Sequence, residues 1–169
     1  MADLSTHARR LFRFPNPVDE RSARLVAGGV VLLSAAALVS GADWLIVVIA
    51  YGFVARVLTG PKLSPLGLVV TRLITPRLRG PARLVPGPPK RFAQGIGATL
   101  TVAAAILALG FDEQTGANVL LALVIVAATL ESVFAFCVGC KIFALLMRVG
   151  VIPAGVCESC NDIGWASRP

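Results

Sequence analysis

One histidine, one tyrosine and nine acidic residues are all that this 169-residue sequence offers of those types, and the shortage removes several kinds of chemistry. With His7 as its single imidazole, it cannot carry a two-histidine zinc-protease motif. It has neither a glycine-rich nucleotide loop nor a serine nucleophile elbow. No internal repeat is present, and all four cysteines are confined to the stretch after residue 134. The connections around "SGADW" and "GFDEQTGAN" contain no basic residue.

Apolar residues fill the space left by these absences. They make up 56% of the chain, and its mean hydropathy is +0.80. A soluble domain of this length cannot hide so much apolar surface, which places the chain in the membrane class. Four windows approach the roughly 20 residues that cross about 30 Å of hydrocarbon: Ser22 to Ser40, Ala42 to Leu58, Phe92 to Phe111, and a longer one starting near Ala117. The expected fold class is an all-α membrane protein with four transmembrane helices and a short interfacial helix between helices 2 and 3. Its regions would be a basic cytoplasmic arm over residues 1–20, a four-helix transmembrane domain over 21–150 and a cysteine-containing cytoplasmic tail over 151–169.

Basic residues orient such a bundle, because Lys and Arg beside a span stay in the cytoplasm. Arg9, Arg10, Arg13, Arg21 and Arg24 precede or open the first span. The connection after the second span holds or borders Arg56, Lys62, Arg72, Arg77, Arg79, Arg83, Lys90 and Arg91, and Lys141, Arg148 and Arg168 complete the set. Asp43, Asp112 and Glu113 occupy the other two connections. This asymmetry predicts a multi-pass membrane protein with both termini cytoplasmic. Its basic face would meet anionic headgroups, and the net charge of +7 calls for no nucleic acid. A cleaved export signal is the competing reading of the amino terminus, since "ARRLFRF" loosely resembles a twin-arginine motif; an uncleaved span explains the charge asymmetry better.

Local signals add detail. Asn16, then Pro17 and two acids, reads as a helix start with a cap and a proline in the first turn. Gly28 and Gly29 allow close helix contact. Ser64 before Pro65 caps a short helix with Leu66, Val69, Val70, Leu73 and Ile74 at helical spacing, which Pro76 ends. The prolines of "GPARLVPGPPK" predict a semi-rigid connector without regular helix.

Glu131 interrupts the fourth span, and an ionisable group at depth demands a partner or a function. It lies roughly 21 Å below Ala117 by helical rise, and Arg56 lies roughly 20 Å below Asp43. Equal depth predicts an intramembrane Glu131 and Arg56 ion pair, with Arg24 or Arg91 as substitute partners. On an unbroken helix Glu131 sits about 120° from Cys137 and about 180° from Cys140, too far round to act as their base.

The cysteines form two C-x-x-C pairs, "CVGC" and "CESC". Cys137 and Cys140 share a helix face at a spacing that closes a reversible disulfide, Gly139 leaves room for a partner backbone, and Lys141 can favour a thiolate. Passive packing is the other reading of that pair. Together with Cys157 and Cys160 the spacing also fits a four-thiolate zinc site, although the spacer is apolar. The second pair is open between metal binding, exchange with the first pair and an incidental tail.

The strings "NPVDERSAR", "GPKLSPLG", "GPPKRFAQGIG" and "ESVFAFCVGC" resemble an uncharacterised family of small bacterial integral membrane proteins, a domain of unknown function (DUF4395-like) with an F-C-x-G-C signature. The resemblance implies a four-helix membrane fold and marks Asp19, Glu20, Arg21, Arg56, Pro89, Lys90, Arg91, Glu131, Cys137 and Cys140 as positions of the family pattern. It implies no established activity, and the pattern ends soon after the first pair, leaving Cys157 and Cys160 outside it. The leading functional expectation is a cytoplasm-facing thiol/disulfide or sulfur-relay protein using Cys137 and Cys140 with a thioredoxin-like or sulfurtransferase partner. The alternatives are a non-enzymatic accessory subunit of a larger membrane complex, whose four cysteines hold zinc or only fill space, and a small homo-oligomeric transporter. In the thiol reading no cofactor is called for.

Overall fold

The computed structural model describes residues 14–78, 82–157 and 160. The expectations for His7, the twin-arginine-like string up to Arg13 and most of the basic arm, and for Arg79 and the end of the tail with Arg168, lie outside the described residues. The described chain is almost wholly helical: α1 (Glu20–Ser40), α2 (Asp43–Thr59), the short α3 (Pro65–Val69), α4 (Gly87–Gly110), α5 (Gln114–Phe134) and α6 (Val138–Arg148). Four of these helices, α1, α2, α4 and α5, are long and apolar enough to cross a membrane, α2 within a helical run that reaches Arg77. Four spans were expected, and four helices of the required length and apolar character are present among the described residues.

Neighbouring spans pack in a closed ring, α1 on α2, α2 on α4, α4 on α5 and α5 back on α1. Diagonal α2 and α5 scarcely touch. The interior mixes small and large apolar residues: Ala104, Ala117 and Leu121 are buried with Ile46, Ile49 and Phe53, whereas Leu32 is 73% exposed and Val39 90% exposed on the outside. Small residues at the contacts let helices approach closely in lipid. Gly28 faces Ser132 and Gly29 faces Leu66, while a Cβ at Gly97 would overlap the Phe53 ring. Alanine or larger at Gly97 has to displace that ring.

Tight turns enforce the up-and-down order. Gly41 ends α1 with φ 64°, a left-handed conformation that glycine adopts without strain. Between α4 and α5, Asp112 takes φ 55° and the Glu113 side chain accepts the Gly116 N–H at 3.1 Å. Gln114 reaches across that end to Asp43, with donor distances of 3.2 and 3.3 Å.

The other end of the bundle is held by polar bonds that differ from the expected ones. Asp19 rather than Asn16 caps α1, accepting the Arg21 N–H at 3.0 Å. Asn16 instead accepts the Gly87 N–H at 3.0 Å, at the start of α4. Between them β1 (Val18–Asp19) pairs antiparallel with β2 (Leu84–Val85), so the segments entering α1 and α4 are stitched together. The proline-rich connector is also shorter than expected: Gly87, Pro88, Pro89 and Lys90 form the first turn of α4. Prolines there lack only N–H groups that have no helical partner anyway. Ser64 does cap α3, its Oγ accepting the Gly67 N–H at 3.3 Å, and a wide π turn (Val70–Ile74) carries the chain on toward Pro76.

Candidate functional site

The expected fourth span does not run unbroken through the first cysteine pair. Helix α5 stops at Phe134, Ala135 turns left-handed with φ 55°, and Phe136 donates its N–H back to the Leu130 carbonyl at 3.0 Å. The freed carbonyls at this end are claimed by Arg24, whose Nε donates to Ser132 O and whose Nη2 donates to Val133 O, each at 3.0 Å. A cation at a helix carboxyl end is electrostatically favoured. Arg24, an expected substitute partner of Glu131, therefore holds the helix break open.

Chain direction resets at Cys137, which becomes the N-cap of α6. Its Sγ accepts the Cys140 N–H at 3.3 Å. Cys137 thus lies at the positive end of the α6 dipole with Cys140 one turn along, their Cα atoms 5.2 Å apart and their sulfurs bonded. Gly139 does not face an open partner channel as expected. A Cβ there would lie 2.6 Å from Ala93 Cα and Cβ, so the glycine lets α6 press against α4. Phe143 and Phe92 continue the contact, ring centroids 5.6 Å apart.

The predicted Glu131 and Arg56 pair gives way to a different one. Lys90, in the first turn of α4, donates Nζ to Glu131 Oε1 at 2.5 Å, with only 10% and 15% of the two side chains exposed. The reason is the ring order: Arg56 on α2 and Glu131 on α5 share a depth but sit on diagonal helices, and α4 lies beside both. Arg56 bonds to α4 and to the cap of α3 instead, Nε donating to Gln94 Oε1 at 2.8 Å and Nη1 to Ser64 Oγ at 3.1 Å. Its guanidinium lies 4.5 Å from the centre of the Phe53 ring. Arg91, the other substitute partner, donates to Val57 O at 2.9 Å.

Two spaces meet at Cys137. An inner cavity of about 100 Å³ is bounded by Arg56, Gln94, Glu131 and Cys137 among apolar residues. An outer pocket of about 560 Å³ is bounded by Lys90, Cys137, Cys140, Lys141 and Arg83. The ion pair links them, Lys90 bordering the outer space and Glu131 the inner one. Since the helix breaks, the angular argument that separated Glu131 from the thiols no longer applies.

Cys157 and Cys160 form a second local bonded pair, Cα atoms 5.3 Å apart. Among the described residues no group of three or more His, Cys, Asp or Glu side chains is gathered as a metal site. The four cysteines stand as two separate bonded pairs.

The family described as Domain of unknown function (DUF4395) matches residues 18–148. The chain belongs to the DUF4395 family. That match takes in Lys90, Arg56, Glu131, Cys137 and Cys140 and stops short of Cys157, so the second pair lies outside the DUF4395 region. No curated protein and no solved structure matches the chain.

Lys90 was marked by the family pattern, yet its pairing was missed. The apolar window began at Phe92, whereas a double proline directly before Lys90 was the available signal that α4 starts earlier. No comparable signal announces Cys137 as a cap, because cysteine is not among the usual capping residues.

Proposed function

We propose that this DUF4395 protein exchanges a disulfide, or relays sulfur, between Cys137/Cys140 and a partner protein at the basic end of its bundle. The position of Cys137 at the N-cap of α6, with its sulfur accepting the Cys140 N–H, carries this reading. A thiolate formed there is favoured by the helix dipole and by a backbone donor. Cys137 is accordingly the nucleophile and Cys140 the resolving thiol. The Cys137 thiolate attacks a partner disulfide, forming a mixed disulfide and releasing one partner thiolate. Cys140 then attacks Cys137 Sγ, closing the Cys137–Cys140 bond and expelling the second partner thiolate, so two electrons pass to the partner. The reverse sequence returns the pair to its dithiol state.

The orientation belongs to the same proposal. The basic end faces the cytoplasm of a bacterial inner membrane with both termini on that side, and its Lys and Arg residues meet anionic headgroups. A thioredoxin-like or sulfurtransferase partner would reach the pair through the outer pocket.

Single-cysteine variants in detergent test the assignment. After reduction, Cys140→Ser should form a mixed disulfide with glutathione disulfide at least about tenfold faster than Cys137→Ser. Equal, slow reaction of both would sink it. Metal analysis of the anaerobically purified protein reads the competing role: about one zinc per chain with all thiols protected would favour a non-enzymatic accessory subunit.

A further inference from the structure

We propose that Arg56 anchors a buried binding site for one small monovalent oxyanion, in the cavity that it shares with Cys137. Arg56 is only 5% exposed, and both groups that it bonds, Gln94 and Ser64, are neutral. Its Nη2 is buried without a hydrogen-bond partner. The nearest acid in the interior, Glu131, is bonded to Lys90. Arg56, Lys90 and Glu131 together carry one excess positive charge in a low-dielectric bundle: the field of Glu131 reaches Arg56, but its carboxylate is bonded to Lys90. An uncompensated buried charge is expensive, and a bound anion removes both that cost and the unsatisfied N–H.

The adjoining cavity suits such an anion. Its volume is about 100 Å³, and since a cavity of roughly 150 Å³ holds benzene, about four heavy atoms fit here. Apart from Arg56, Gln94, Glu131 and Cys137, its walls are mostly aliphatic, as at Val30, Leu100 and Val124. A planar oxyanion of this size can take paired bonds from a guanidinium. Balance of the single excess charge, with the Glu131 carboxylate in the same wall, selects a monoanion over a dianion.

Nitrate, with four heavy atoms, is the probe, and gluconate is the control that is too large. Calorimetric titration of the full chain in detergent at constant ionic strength should give saturable nitrate binding near one per chain and none for gluconate. Arg56→Gln should abolish it. Ala127→Leu, which fills the cavity and leaves Arg56 in place, should abolish it as well, so misfolding of one variant does not decide the matter. Glu131→Gln should lower the half-saturating nitrate concentration at least severalfold, because it removes the competing negative charge. Absence of saturable binding in the wild type, survival in Arg56→Gln or Ala127→Leu, or no tightening in Glu131→Gln overturns the site. The Cys140→Ser variant, which cannot close the Cys137–Cys140 bond and alters no residue bounding the cavity, should bind nitrate as the wild type does, which separates this test from that of thiol exchange; loss of binding there also overturns the assignment, since sulfur is not among the proposed ligands.

Discussion

The two ends of the bundle solve the same problem, turning a chain between antiparallel spans, by opposite means. At the end holding Gly41 and Asp112 the turns are short and the polar groups are exposed. The one side-chain bridge there, Gln114 to Asp43, is in solvent. At the other end Arg56, Lys90 and Glu131 are drawn inside the helices, and Arg24 reaches into the α5 terminus. Charge that is merely exposed contributes little, whereas charge enclosed in the bundle must be matched or it destabilises. The enclosed charges lie at the same end as Cys137 and Cys140, where thiol exchange is proposed.

The largest effect should come from breaking the enclosed pair. Glu131→Leu leaves Lys90 buried and unpaired, and should cost about 3–5 kcal/mol, read as a fall in the thermal midpoint of helix loss by circular dichroism in detergent. Lys90→Met together with Glu131→Leu should recover most of that loss. At the opposite end Asp43→Asn should change stability by less than about 0.5 kcal/mol. Equal losses at the two ends would mean that the contrast in burial has no energetic content.

How much of this was legible beforehand follows the same division. The four spans, their basic side and the Ser64 cap were written in local pattern: apolar run length, charge placement, and a serine before a proline. What escaped depended on which helix stands beside which. Depth along each span was computable for Arg56 and Glu131, but the ring order that places α4 between their helices was not, so the partner fell to Lys90. The α5 break escaped for a related reason. Ala135 is a good helix former, and the side-chain donors that let the helix stop there come from Arg24, a residue more than a hundred positions earlier in the chain. Asn16 likewise looked like a cap because its tertiary bond to Gly87 has no sequence signature.

A smaller effect sharpens the comparison within the basic end. Gly139→Ala places a methyl 2.6 Å from Ala93 and should cost about 1–3 kcal/mol by forcing α6 off α4. Because Cys137 caps that helix, the same change should also slow mixed-disulfide formation, measured with glutathione disulfide on the reduced protein. Gly95→Ala in the neighbouring helix meets nothing within 4 Å and should be neutral or stabilising by up to about 1 kcal/mol. A slowed thiol in Gly95→Ala as well would detach reactivity from the seating of α6.

The smallest effect compares the only two non-glycine residues with left-handed backbone among the described residues, one at each end. Ala135 and Asp112 both have φ 55°. Alanine has no side-chain group to compensate that conformation, whereas aspartate tolerates it through local hydrogen bonding. Ala135→Gly should therefore stabilise by about 0.5–1 kcal/mol, with Asp112→Gly close to neutral, both read from the same thermal midpoint. The sign at residue 135 carries the argument. If the break before Cys137 is imposed by Arg24 and the packing of α6 on α4, relieving its backbone strain must raise stability without altering the cap. If Ala135→Gly destabilises instead, the left-handed turn is not what separates α5 from α6, and the cap position of Cys137 loses its structural cause.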